Sequence, residues 1–258
     1  MMGMDRSALE IVIGLEARKL ARATVVRVAT AAALVLVMAT TAGGYTAAMY
    51  AGDTDLGRKA ASMVTSPGWD GYTALGATSV SVTMLLAVGV VMSWSTGREF
   101  TDGTIVGLFA IPPALRTIAT AKMVVTLSWA VLLGAGEAAL LMTAGLLLGL
   151  GAAGAAGCFA TLLLVSVVLS AGVLPVMWAA TRWRGYLAGI GLTLAILVVT
   201  NLAAGFGLGS YVPWSIPIVW ASHQTEVSTP LLATPVMTAA IGAWITYRSW
   251  DHLQLGAD

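Results

Sequence analysis

Histidine, cysteine and charge are nearly missing from this sequence. Among 258 residues there are two histidines, His223 and His252, and one cysteine, Cys158. An intramolecular disulfide is therefore excluded, and no cysteine cluster or HExxH pair is available to hold a metal. Of the three lysines, Lys19, Lys59 and Lys122, none completes a GxxxxGK[ST] phosphate loop. No polar stretch is long enough for a nucleotide-binding domain, which needs on the order of a hundred residues. Ser210 precedes His223, but neither a third orienting group nor a glycine-rich nucleophile turn accompanies them, so a hydrolase has no support. Charged residues make up 10% of the chain, where a soluble domain carries roughly 25%. The net charge is +1, and bulk electrostatics gives no reason to expect a nucleic-acid partner. The chain is expected to be no enzyme and to bind no cofactor or metal itself.

Apolar surface is what the sequence has in quantity, at 58% hydrophobic residues. Water cannot be kept from that much of it, whereas lipid can serve as its solvent. Six stretches are long enough to cross a hydrocarbon core as helices, for which about 20 apolar residues are needed: 28–50, 72–95, 123–150, 157–180, 186–206 and 230–247. They are continuously apolar rather than alternating, which excludes barrel strands. The first run is too long for a signal-peptide core, so it reads as a retained span. The fold expected is an all-α integral membrane protein, a single transmembrane domain over residues 1–258.

Six spans place both termini on one side. Eleven of the 13 Lys and Arg residues fall on that side, and only Arg58 and Lys59 on the other. By the positive-inside rule both termini face the cytoplasm, as in a multi-pass protein of a bacterial plasma membrane. The leader, 5–27, carries Leu9, Val12, Ile13 and Leu20 at helical spacing, with Arg18, Lys19 and Arg22 on other faces and Glu16 interrupting the apolar side. It reads as an amphipathic helix lying along the membrane, the alternative being a loosely ordered basic tail. Before the last span, GLGSYVPWSIPIVWASHQTEVST is too short to cross and is broken by Pro213 and Pro217. It reads either as a re-entrant or interfacial element anchored by Trp214 and Trp220, or as an ordinary loop with aromatic belt residues.

One cytoplasmic segment stands out: GREFTDGTIVGLFAIPPALRTIATAK, residues 97–122. Thr101 or Asp102 is placed to cap a helix start, Ile105, Val106, Leu108, Phe109 and Ile111 give an apolar surface, and Pro112 and Pro113 stop the helix. A short helix over 101–113 cannot bury that surface alone, so the membrane interface or another protein covers it. Arg116 and Lys122 follow, flanking the next span where their stems can snorkel toward phosphates.

The order Arg98, Glu99, Phe100, Gly103, Thr104, then an apolar stretch, Pro112, Arg116 and Lys122 resembles the loop between the second and third helices of type-2 ATP-binding-cassette (ABC) exporter permeases. The leader LEARKLAR is similar to that family's amphipathic entry helix. The resemblance implies a membrane subunit that exports a drug, peptide, lipid or similar substrate. It also implies partners: cytoplasmic ABC ATPase subunits that bind ATP and Mg, and a second permease, identical or homologous. The loop would be the coupling helix seated in an ATPase groove, with Ile105, Leu108 and Phe109 as groove-filling side chains. Glu99, Asp102 and Arg116 would be rim charges, and Arg98, Gly103, Thr104 and Pro112 the remaining contact positions.

Glu137, deep in the third span, is costly there and is a candidate pathway residue. Either it binds a cationic or polar substrate, or it makes a structural hydrogen bond between helices. Asn201 in the fifth span is a weaker case of the same kind. The rival function is a stand-alone secondary transporter or channel with Glu137 as its ion or proton site. The pairs Gly145 and Gly149, and Gly185 and Gly189, read as close helix packing.

Overall fold

The computed structural model describes residues 6–64, 66–222 and 228–254. Asp5 of the leader, and His223 with the rest of 223–227 in the element before the last span, lie outside the described residues. All regular structure among the described residues is helical.

Helix α1 (Arg6–Arg22) is followed by the extended residue Ala23, which separates it from α2 (Thr24–Val37). A π-helical turn (Met38–Gly43) and α3 (Gly44–Tyr50) continue the same span, so the first crossing starts before residue 28. In the loop beyond, α4 (Asp55–Ala61) is capped by Thr54, whose hydroxyl accepts the Gly57 N–H at 3.0 Å. Span two is α5 (Gly68–Thr101), a single turn follows as α6 (Ile105–Leu108), and span three is α7 (Leu115–Leu147). Span four is split into α8 (Ala155–Gly172) and α9 (Pro175–Arg182), and span five is α10 (Tyr186–Gly205). The short α11 (Ile216–Ala221), a 3-10 turn (Thr229–Leu232) and α12 (Ala233–Asp251) complete the chain. Among the described residues, six helical segments are thus long and apolar enough to cross a membrane. Spans two and three are longer than their apolar runs, because Arg98, Glu99, Arg116 and Lys122 continue the helices rather than flank them.

α5 is the central post, packed by α2, α7, α8, α9 and α10. Its interior face joins Tyr72, Met84, Leu85, Val88 and Met92 to Leu141, Leu162 and Leu169. The outermost helices are the first, fifth and sixth spans, which keep most of their apolar side chains on the surface. Glycine sets one approach: a Cβ on Gly242 of α12 would stand 2.6 Å from the Pro175 nitrogen, so only hydrogen fits there.

The break in span four explains the element that precedes span six. Pro175 has no N–H, and the Val176 N–H turns to the Val173 carbonyl at 3.0 Å. The Gly172 carbonyl is thereby left without its helical donor, and the Trp214 indole N–H supplies one at 2.9 Å. Gly172 is the last residue of α8, about 25 Å along the helix from its start. α11 packs on α5 and α8, with Ile216, Pro217 and Ala221 buried. Trp214 and Trp220 are thus partly buried against the main core of the bundle.

Candidate functional site

α1, α6, the start of α7 and the end of α12 meet at one end of the bundle. The buried positions of α1 are Val12, Glu16 and Leu20, each four residues from the last and therefore on one helical face. That face rests on α7, while Ile11 and Leu15 stay exposed. Glu16 does not spoil an apolar stripe; it is the polar centre of the one that the protein buries.

Its partner is Lys122, whose side chain is 2% exposed. The ammonium donates to Glu16 Oε2 and Glu99 Oε1, each at 2.8 Å, and to the Ser95 carbonyl at 3.0 Å. All three of its protons are therefore used. Lys19 adds a second cation, donating to Glu16 Oε1 at 2.7 Å and lying 3.9 Å from Glu99. The Thr104 hydroxyl donates to Glu99 Oε2. One buried cluster thus ties the leader helix, span two, span three and the loop together. Lys122 does not snorkel to lipid; a residue seven positions inside a 33-residue helix and facing two carboxylates has no route to the headgroups.

The loop itself differs from its expected outline. α5 runs on to Thr101, whose hydroxyl donates back to the Gly97 carbonyl at 3.1 Å, and Asp102 follows as the helix's C-cap. Neither residue caps α6. Gly103 takes φ 70°, a left-handed turn that favours glycine, and the chain reverses there. Beyond Thr101, the helical part of 101–113 is only the single turn of α6; Pro112 and Pro113 hold the stretch before α7 out of helix. Ile105 and Leu108 pack inward in a cluster with Val12, Ile118 and Trp250. Val106, Phe109 and Ile111 point away from it, Phe109 being 37% exposed.

The charges sort in the same manner. Glu99 is 4% exposed and faces the interior, while Asp102 is open to the surface. Arg98 lies over the Trp94 ring, 4.7 Å from its centroid, with the Asp102 carboxylate at 3.8 Å. Arg116 donates to Asp251 at 3.0 Å and pins the start of span three to the end of span six. Trp250 ties the same end of span six to span four, giving its indole N–H to the Thr181 hydroxyl at 2.8 Å.

The two pathway candidates are not alike. Glu137 is 0% exposed, and neither carboxyl oxygen meets a hydrogen-bond partner among the described residues. Thr83 stands beside it, but that hydroxyl donates to the Ser79 and Val80 carbonyls, each at 3.1 Å. Asn201 is on the exposed face of α10, where its amide donates to the Leu197 carbonyl at 2.8 Å. The fold does not bring the two side chains together. Motif reading named Glu16 and Lys122 but not their pairing, and it passed over Ser95: the contacts join positions 106 and 27 residues apart in sequence. The one signal available in the sequence was Glu16, an acid four residues from both Val12 and Leu20 on the apolar face of the leader.

A family model described as ABC-2 family transporter protein matches residues 12–200, from the leader helix into span five. No curated protein and no solved structure matches the chain.

Proposed function

The chain belongs to the ABC-2 family of transporter proteins, and from that premise we propose that it is the permease subunit of an exporter driven by a separate ATPase. ATP and Mg bind on the ATPase chains. Two permeases, identical or homologous, form the pathway between them in a bacterial plasma membrane, with both termini cytoplasmic. The observation that carries this reading is the loop between spans two and three. It exposes an apolar knob, Val106, Phe109 and Ile111, beyond a foot that the chain buries for itself.

The mechanism follows from that division. The knob and the rim charge of Asp102 meet the ATPase, with Gly103 and Pro112 fixing the shape of the loop. Ile105, Leu108 and Glu99 face inward, and Thr104 and Arg116 reach back to Glu99 and Asp251, so that together they seat the loop on the helices. Closure of the ATPases on ATP pushes the loop, and Thr104, Glu99 and Lys122 pass the displacement to spans two and three. Glu137 and Asn201 are the pathway candidates; Asn201 lies on a face left open for a neighbouring subunit or lipid.

Phe109→Asp tests the knob. The variant is expected to insert and fold as the parent does but to lose the ATPase during co-purification. Unchanged association would remove the loop from the interface. A chain that hydrolyses ATP unaided at a transporter's rate would refute the reading as a whole. The stand-alone transporter has one observation in its favour, the unpartnered carboxyl of Glu137, yet the other buried charged side chains among the described residues, Glu16, Glu99 and Lys122, are paired with one another, with Lys122 about 22 Å away along α7, too far to make a relay with it.

A further inference from the structure

α5 presents one continuous stripe, Thr83, Ala87, Val90, Trp94, Arg98 and Asp102, along a groove that opens sideways from the bundle. Its upper half is a cavity of about 350 Å³ between α2 and α5, floored by Ala29, Ala32 and Leu36 with Val90 at its lower end. The lower half is a cavity of about 540 Å³ between α2, α5 and α10, which shares Val25 and Val90 with the first. The walls change chemistry along this length. Aliphatic side chains line the upper half, whereas Arg98, Asp102 and the aromatic rings of Trp94 and Tyr186 gather at the foot.

The length is informative. Thr83 and Arg98 are fifteen positions apart on α5, or about 22 Å of helix. Half of a bilayer with its headgroups, about 40–45 Å thick in full, is about the same. A groove of this length, with its cation at headgroup level, spans one leaflet and reaches the midplane of the bilayer. Trp94 holds the guanidinium in place by stacking, and the Asp102 carboxylate at 3.8 Å is too far for a close pair. The planar donors of Arg98 therefore remain available to an anion.

We propose that this groove is a site for one phospholipid of the leaflet on the loop side, with its phosphate on Arg98 and an acyl chain along Ala32, Ala87 and Val90. Recognition combines a phosphate contact that a neutral lipid cannot make with burial of one chain against span one. The proposal rests on the placement of the spans alone, not on the ATPase pairing, and it gives Arg98 a task apart from the exposed knob.

Native mass spectrometry of the full-length chain in detergent tests it, with phosphatidylglycerol, phosphatidylethanolamine and diacylglycerol of the same acyl chains as probes. One phospholipid of either headgroup is expected to bind, roughly tenfold more tightly than the diacylglycerol, as loss of a charge-assisted contact implies. Arg98→Ala should remove that preference. Ala32→Trp, at an exposed position that fills the upper half, should weaken all three probes while leaving the melting temperature unchanged. Equal binding of phospholipid and diacylglycerol by the parent, or a preference that survives in Arg98→Ala, overturns the proposal. Displacement of the lipid by free glycerol phosphate at equal concentration overturns it in favour of a soluble anion. Loss of a dimer in Ala32→Trp overturns it in favour of a second copy of the chain.

Discussion

An ammonium ion out of water needs its charge answered at close range, and Lys122 has two carboxylates to answer one charge. Lys19 restores the balance from the rim. Removing one member of such a buried set strands the others, which costs about 3–5 kcal/mol. Lys122→Met should therefore lower the melting temperature sharply, because Glu16 and Glu99 would be left with only the half-exposed Lys19 between them. The triple variant Glu16→Gln/Glu99→Gln/Lys122→Met is expected to recover most of the loss. A triple variant no more stable than Lys122→Met alone would show that packing, not charge, holds this corner. Glu137 poses the opposite case, a buried polar group with nothing answering it. Replacing it by an apolar side chain of similar size removes a desolvation penalty of about 1–3 kcal/mol. Glu137→Met is thus expected to melt at a higher temperature in detergent. A lower melting temperature would mean that the carboxyl has a partner in the membrane. If the stabilised variant transports nothing, the residue belongs to the pathway.

At the scale of the element, span four and the segment after span five are one construction. Proline releases the Gly172 carbonyl, and tryptophan takes it up from another part of the chain. Trp214→Phe should cost about 1–3 kcal/mol for leaving that carbonyl bare. Pro175→Ala allows the Val176 N–H to return to Gly172, so the double variant should lose less than the two single losses together. Additive losses in the melting curves would rule out the carbonyl as the link. This is also where sequence and structure part company. Six apolar runs and the loop between spans two and three were legible, because crossing length and charge asymmetry are local properties. The ends of α5 and α7 were not, since Arg98, Glu99 and Lys122 look like flanking residues until their partners are known. Nor was the division of the loop, as the inward turn of Ile105 and Leu108 is decided by Val12 and Trp250, far away in sequence. Glu16 looked like a flaw in an amphipathic pattern for the same reason.

On the scale of the whole molecule, the bundle is built unevenly. In its most apolar stretch α5 has 78% of residues buried, whereas the first and sixth spans have 22%. Such open outer helices are suited to lipid and to a second permease, and the expected complex holds two permeases and two ATPases. Native mass spectrometry of the co-purified complex should give that 2:2 mass, and a stable 1:1 complex with full transport would argue against a pathway between permeases. The single cysteine, Cys158, is buried, so thiols introduced on the surface of spans one, five or six can be labelled without removing it.

α5 and α7 have 34 and 33 residues, about 50 Å each, well beyond the roughly 30 Å of hydrocarbon. They are fastened near both ends: by Lys122 at the loop, and by the Tyr72 hydroxyl on the Leu141 carbonyl at 2.9 Å near the other. Two rods stapled twice cannot slide past one another; they can only tilt as one piece. A push on the knob then acts as it would on a see-saw, with the fulcrum inside the bilayer. The far end, where Trp69 donates to the Gly151 carbonyl at 2.9 Å, must swing in the opposite sense.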